Sequence, residues 1–383
     1  AEHIEFAPAT EHNRICSWRP SIDKLGLKDF IQTIAGLELT GSGPHLNSFP
    51  LKPIPHTQDS GAPEWDKDPR LDALTLRDWQ KMEPDRWVQL NHPDMVESFI
   101  DRNDDGKIDG GYVGLAQMID GLETQNSNDS GILGNAPFRI GPDNVGLDKL
   151  YQSWEFMWLQ MLNQGHHYTA MADCDAHEVW GNGVGTWRMY MPSKTDKPAE
   201  IDWRENVRHA KAGHSILTSG PFLQVQTEDG KLPGDTVQAT SEIKIKVKVQ
   251  CTDWIDIDRV QVLVNGRKPE ELNYTRATHP AMFSNGVVKF DRTITVPLKE
   301  DSHVIVVAYG ENTDLSIGYG TSAQGKMHPC AYHNPFYVDV DGNGFKPNGD
   351  WLDWPNPTKK MTVEEVRKRI GSESHVAPSR KTK

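Results

Sequence analysis

The chain has 383 residues, 25% of them charged and 36% hydrophobic, the proportions of an ordinary globular protein with material for about two or three domains. Forty-one basic against fifty-four acidic residues give a net charge of −13, which disfavours a nucleic-acid or anionic-membrane partner, and no apolar run is long enough to span a bilayer. Four cysteines (Cys16, Cys174, Cys251 and Cys330) lie far apart with no C-x-x-C pair, which excludes a cysteine zinc finger and leaves the disulfide state open.

Residues His3 to Thr10 alternate loosely and run into Glu11-His12-Asn13. A helix is expected from Leu25 to Thr33, then an apolar strand, Ile34 to Leu39, that delivers Glu38 ahead of a Gly/Ser loop carrying His45 and Asn47. Pro, Asp and Gly crowd residues 51 to 70, which read as a surface loop. Leu74 to Lys81 suggests a helix. Trp87 to Leu90 reads as a strand delivering Asn91-His92-Pro93, and Ile119 to Glu123 runs into a polar stretch, 124 to 130. The clearest helical pattern spans Leu147 to Gln164, with Leu150, Tyr151, Trp154, Trp158, Met161 and Leu162 three or four apart, and Gly165 placed to stop it. A buried strand, Tyr168 to Ala172, follows and empties into Asp173-Cys174-Asp175-Ala176-His177 and a loop with Gly181, Gly183 and Gly185. A further helix from Trp203 to Ala212 has Asp202 as N-cap, Glu205 three residues on and Gly213 at its end. From Gly220-Pro221 the rhythm turns to strands: Phe222–Val225, Glu242–Gln250, Arg259–Val264, Val287–Val296 and His303–Tyr309, with turn signals at Asn265-Gly266 and Asn285-Gly286. This predicts an all-β module, a small sandwich. The tail beyond Gly371 is polar and basic and reads as disordered.

Strand ends thus deliver His12, Glu38 with His45, His92, and Asp175 with His177. In a D-x-H pair on extended backbone, alternate side chains share a face, so a carboxylate oxygen and an imidazole nitrogen point the same way. Those donors suit a hard or borderline divalent ion. Singly each residue has a plainer reading: a turn cap for His12, a loop carbonyl partner for His92, an ion pair with a surface lysine for Glu38. A layout in which successive strands each deliver a ligand is what a metal centre at a barrel mouth requires. Glu11, beside His12, is either a ligand or a residue that orients one.

The segments ATEHN (9–13), GLELTGSGPHLNSF (36–49), LNHPD (90–94) and ADCDAHEVWGNGVGTWR (172–188) resemble the successive motifs of the PHP (polymerase and histidinol phosphatase) metallohydrolase superfamily, in particular its carbaryl-hydrolase-like CehA/McbA branch. AKAGHSILTSGPFLQV (210–225) resembles that branch's link from barrel to β-module. The resemblance implies a distorted (β/α)₇ barrel over residues 1–220; the chain's own pattern places a β-sandwich over 221–340 and a calcium-loop-like segment with a basic tail over 341–383. The resemblance also implies two or three divalent transition metals (Zn, Mn or Fe) held by His12, Glu38, His45, His92, Asp175 and His177. The family's T-D-H stands here as Thr10-Glu11-His12, and its opening H-x-H is absent, so that either a first strand carrying it is expected upstream of Ala1 or the site is a reduced one, the first being favoured.

Two loops resemble calcium sites. Asp339, Asp341, Asn343, Phe345 and Asp350 occupy positions one, three, five, seven and twelve of a loop with Gly344 at six. Asp101, Asn103 and Asp105 begin a similar loop, but Tyr112 stands at its twelfth position. A plain cluster of Asx turns is the alternative for both.

These features predict a metal-dependent hydrolase in which a bridging water becomes hydroxide near neutral pH and attacks a small-molecule ester. The resemblance to the carbaryl-hydrolase-like branch, together with the lack of any cation but Arg14 and Arg188 in the motif stretches to clamp a phosphate, favours a carboxyl or carbamate ester over a phosphoester. Arg188 is the candidate anion contact, against a structural arginine. Weak calcium loops fill outside the cytoplasm, so a periplasmic or extracellular location is expected, with the cytoplasm as alternative. The rival function is a non-catalytic binding protein built on a degenerate barrel plus sandwich.

Overall fold

A computed structural model describes residues 3–81, 85–95, 114–126, 128–142, 146, 148–167, 169–177 and 183–354. Five α-helices occur among them: α1 (Arg19–Leu25), α2 (Pro69–Asp78), α3 (Trp154–Asn163), α4 (Trp203–Lys211) and the single turn α5 (Ser316–Tyr319). Among the described residues the chain divides into two compact units that share it alternately: those up to Glu123 and from Pro192 to Lys211 form the first, and those from Thr124 to Met191 and from Ala212 to Trp354 the second.

In the first unit, β1 (Phe6–Ala9) and β2 (Gln32–Ala35) pair in parallel, Phe6 opposite Gln32. A second sheet runs β3 (Leu37–Leu39), β4 (Leu46–Phe49), β5 (Trp87–Leu90) and β6 (Gly121–Gln125), with β3–β4 and β4–β5 antiparallel and β5–β6 parallel. β3 and β5 are buried on both faces, and Leu37, Leu46, Trp87, Val88 and Leu90 are wholly inaccessible. Helix α2 lays Ala73 and Leu76 on β4 and β5. Gly36, between β2 and β3, is where main chains meet: a Cβ there would lie 2.7 Å from the Ser48 carbonyl and 2.9 Å from that of Ala9. Only glycine allows that approach.

In the second unit, β7 (Phe138–Pro142) and β8 (Asp148–Gln152) form a hairpin, followed by α3 and β9 (Thr169–Ala172). Helix α3 is buried all round from Glu155 to Asn163, which marks a core helix rather than a surface one. The larger sheet contains β10 (Arg188–Tyr190), β11 (Ile216–Thr218), β13 (Thr236–Gln238), β15 (Arg259–Val264), β16 (Asn273–Thr275), β18 (Ser302–Tyr309), β19 (Cys330–His333) and β20 (Phe336–Asp339). A smaller one is built from β12 (Phe222–Thr227), β14 (Glu242–Gln250) and β17 (Val288–Pro297). On β14 the buried residues Ile243, Ile245, Val247 and Val249 alternate with Lys244, Lys246 and Lys248, the period of a half-buried strand. Asn265 (φ 50°) and Gly266 (φ 72°) both adopt the left-handed conformation, as a two-residue type I′ turn demands, and Val264 and Arg267 exchange both main-chain hydrogen bonds across it.

The expected (β/α)₇ barrel is not formed. The molecule is sheet-rich, 30% strand against 20% helix, with no closed barrel among the described residues. The reason lies in the connections. Parallel strands need a crossover of a dozen or more residues, but only residues 40–45 separate β3 from β4, and they return the chain antiparallel. Other expectations shift as well. The helix expected over Leu25–Thr33 is α1 instead, opened by Pro20 and ended by Gly26 at φ 68°. The pattern from Leu147 to Gln164 divides into β8 and α3, so Leu150 and Tyr151 pair across a hairpin with Ile140 and Arg139. Leu147, Tyr168, Gly181 and the tail over 355–383 lie outside the described residues.

Candidate metal centre

Glu38 organises the first unit's polar core. It is the one charged residue of β3, flanked by the buried Leu37 and Leu39, and only 6% of its surface is exposed. The main chain of residues 11–13 is zipped to it: the Glu38 N–H donates to the Glu11 carbonyl (3.0 Å) and the Asn13 N–H to that of Glu38 (2.8 Å). This fixes His12 beside Glu38. The Asn13 side chain then clasps Thr40 through both its main-chain groups, N–H to Oδ1 at 2.8 Å and Nδ2 to the carbonyl at 2.9 Å. Thr40 Oγ1 hydrogen-bonds His12 Nδ1.

Three imidazoles converge on the carboxylate. His45 Nδ1 donates to Oε1 at 3.1 Å, His92 Nε2 lies 3.5 Å from the same oxygen, and His12 Nδ1 lies 3.6 Å from Oε2. The rings meet edge to face, with centroids 5.6 Å apart for His12 and His45 and 4.4 Å for His45 and His92. Burial pushes the Glu38 carboxyl up, but hydrogen bonds from His45, His92 and Asn91 and the charge of His12 outweigh it and hold the group well below the usual carboxylate range. It is therefore ionised at any physiological pH.

A line of amides supports it from below. Trp87, Gln89 and Asn91 are alternate residues along β5 and its extension and so share one face. Trp87 Nε1 donates to Gln89 Oε1 (3.4 Å), Gln89 Nε2 to Asn91 Oδ1 (2.9 Å), and Asn91 Nδ2 to Glu38 Oε1 (3.0 Å). An indole nitrogen can only donate, so Trp87 dictates which way both amides point and leaves a donor facing the carboxylate.

His12, Glu38 and His45 each place a ligand atom within 4.8 Å of the others, a group that could hold a metal ion. Two nitrogens and a carboxylate oxygen fit zinc and similar divalent ions, and three protein ligands leave positions for water and substrate. The side chain of His12 is 42% exposed against 8% for Glu38, so the group opens to solvent on the His12 side. Glu11 is anchored by Trp18, whose indole N–H donates to its Oε1, while its buried Oε2 has no hydrogen-bond partner.

Comparison with family models, curated proteins and solved structures gives no match. The side chains themselves carry the functional reading.

Asp175 and His177 belong to the second unit. Both are exposed, Asp175 has φ 44°, and His177 Nδ1 donates to the Asp175 carbonyl at 2.9 Å. Arg188 begins β10 in the same unit, and its Nη2 donates to the Gly185 carbonyl. In the Asp339 loop, Asp339 accepts from the Gly342 and Gly344 N–H groups at 2.8 and 3.0 Å, and Asp341 from Asn343 N–H at 3.2 Å. Asp350 instead receives Arg267 at 2.7 and 2.8 Å, and the Phe345 ring packs 5.1 Å from that of Tyr337. The third carboxylate beside Asp339 and Asp341 is Asp301, which no loop spacing announced. Asp101, Asn103 and Asp105 lie outside the described residues. Sequence reasoning also missed the roles of Asn91 and Glu123. The only signal for Glu123 was its place at the end of an apolar strand, as with Glu38.

Proposed function

We propose that this protein is a metal-dependent hydrolase whose centre is built on Glu38, with His12 and His45 as further ligands and His92 completing the set. The observation that carries the reading is the convergence of three imidazoles on one buried, ionised carboxylate. A structural role for Glu38 needs one partner, not three imidazoles and an amide, and burying a carboxylate is costly unless it is so compensated. These residues would hold a divalent ion, whose chemistry there would be to lower the pKa of a bound water towards neutrality and to polarise an ester oxygen. The residues supply the rest. Glu38 brings a fixed negative charge, Asn91 holds its Oε1, Asn13 and Thr40 hold His12 in place, and the exposed His12 edge admits a small substrate.

The substrate reading is a carboxyl or carbamate ester. Among residues 9–13, 36–49 and 90–94, which hold the four proposed ligands, there is no lysine or arginine to clamp a phosphate. Metal-replete protein is expected to contain bound transition metal, to lose it on Glu38→Gln with His45→Ala, and to hydrolyse 1-naphthyl acetate faster than p-nitrophenyl phosphate in a chelator-sensitive way. Equal metal in wild type and double variant would overturn the site. Bound metal with no turnover of either ester would favour a binding protein.

A further inference from the structure

Strand β5 stops at Leu90, so the two residues after it, Asn91 and His92, lie beyond the ladder that pairs β5 with β6. Asn91 is tied back through its main chain, its N–H donating to the His45 carbonyl at 2.9 Å. His92 is held differently. It has φ 27°, in the region that side-chain-bearing residues avoid, and it precedes Pro93, which restricts its backbone further. Such a conformation persists only where the surroundings impose it. The imposing group is a side chain: the His92 N–H donates to Oε2 of Glu123, a residue of β6 with 1% of its surface exposed.

We propose that Glu123 is a positioning residue for His92: by taking the His92 main-chain N–H it holds the chain in the turn that swings the imidazole over Glu38. The inference rests on the metal-centre reading above. β6 is the parallel neighbour of β5, with Gln89 opposite Gly121 and Leu90 opposite Leu122, so Glu123 stands one step further along, beside the departing chain. From the turned backbone the His92 ring reaches across to lie 4.4 Å from that of His45, with Nε2 3.5 Å from Glu38 Oε1. Without the carboxylate, His92 relaxes to the extended conformation normal before proline, and its imidazole leaves the group. In this scheme Glu123 acts on the centre through its hydrogen bond to the His92 main chain.

The test is a Co²⁺ titration of the full chain, followed by visible absorption, on wild type, Glu123→Gln, Glu123→Leu, His92→Ala and the Glu123→Leu/His92→Ala double variant. Glutamine keeps an acceptor oxygen, so its affinity and spectrum should stay close to wild type. Leucine keeps the volume and removes the acceptor, and should weaken Co²⁺ binding about 10- to 100-fold, the usual cost of losing a ligand's support. In the His92→Ala background the leucine substitution should cause no further loss, because the residue it acts through is gone. Where leucine does not fold, Glu123→Asp, one methylene too short to reach, takes its place. Amide exchange in the metal-free wild type gives an independent check: the His92 N–H should be protected. Wild-type affinity in the leucine variant, additive losses in the double variant, or an unprotected His92 amide would each overturn the proposal. Wild type that binds no Co²⁺ would overturn the metal centre itself.

Discussion

His333 shows how one buried ring can set a pH response. Its Nδ1 donates to the Asn334 carbonyl at 2.6 Å, and its Nε2 accepts the Val306 N–H at 2.9 Å. Both nitrogens are spent on a neutral ring, and a second proton would have to displace the Val306 bond. Burial pulls the His333 pKa down to about 4, and that of His303, also wholly buried, to about 3. The sign follows from linkage. Below about 6.5 the unfolded chain takes up protons that the folded one refuses, so these histidines contribute stability that is lost as pH falls from there towards 4. Glu155 acts in the opposite sense. Burial pushes its carboxyl up to about 7, against hydrogen bonds from Ser130, Tyr332 and Gly131, so its contribution is lost as pH rises from about 4.5 to 7. The wild-type profile sums opposed slopes, and a difference curve separates them. His333→Gln keeps a donor and an acceptor but does not titrate. Urea unfolding should show the advantage of wild type over this variant shrinking between pH 6.5 and 4, by at most about 1.4 kcal/mol per pH unit. A constant difference across that range would refute the assignment.

At the scale of elements, α2 depends on what stands just ahead of it. Asp68 caps the helix by accepting the Arg70 N–H at 3.0 Å, and the same carboxylate grips the guanidinium at 2.9 and 2.6 Å, with Arg70 only 1% exposed. Two roles in one side chain predict a graded series. Asp68→Asn keeps an acceptor for the cap but removes the charge beside a buried cation, a loss of about 3 kcal/mol. Asp68→Ala adds the lost cap, about 1 kcal/mol more. Chemical denaturation that ranks the two variants equal would separate the cap from the ion pair.

The same helix shows what is readable in the chain. Where the deciding residues are local, the elements are where the sequence puts them. α4 begins after Asp202, which accepts the Arg204 N–H at 3.0 Å, and β14 keeps the alternation of EIKIKVKVQ. Even there Glu205 does not complete a capping box; it faces Lys194 at 3.5 Å and His209 at 3.8 Å. Where the partner is distant, the pattern misleads. Leu150 and Tyr151 fit a helical stripe, but their register with β7 wins, and Leu46–Phe49 read as loop because its sheet partners β3 and β5 were invisible locally. The centre divides in the same way. His12, Glu38, His45 and His92 are recognisable as ligand types, but what aims His92 is a hydrogen bond to Glu123 across two strands.

For the whole molecule the alternating division of the chain matters most. A fragment ending near residue 220, where the rhythm of the sequence changes, contains β10 and β11 but not β19, on which β11 pairs from Ile216 opposite His333 to Thr218 opposite Ala331. Residues 1–220 alone should therefore show slow amide exchange in β3, β4 and β5 and rapid exchange in α3, whereas the chain to 354 protects both. Protection of residues 154–163 in the short fragment would show that the second unit needs no later strands.

That division also sets an order in time during synthesis. Of the described residues, those of the first unit are all made once Lys211 has left the ribosome, whereas those of the second run on to Trp354. Through that interval, on the order of ten seconds at usual elongation rates, the segment carrying Phe156, Met157, Trp158, Leu159, Met161 and Leu162, all buried in the finished protein, has been made without the strands that cover it. The nascent chain thus presents an uncovered apolar helix just as the described residues of its first unit are all made, a substrate for a holding chaperone and the point at which slowed translation costs most in yield.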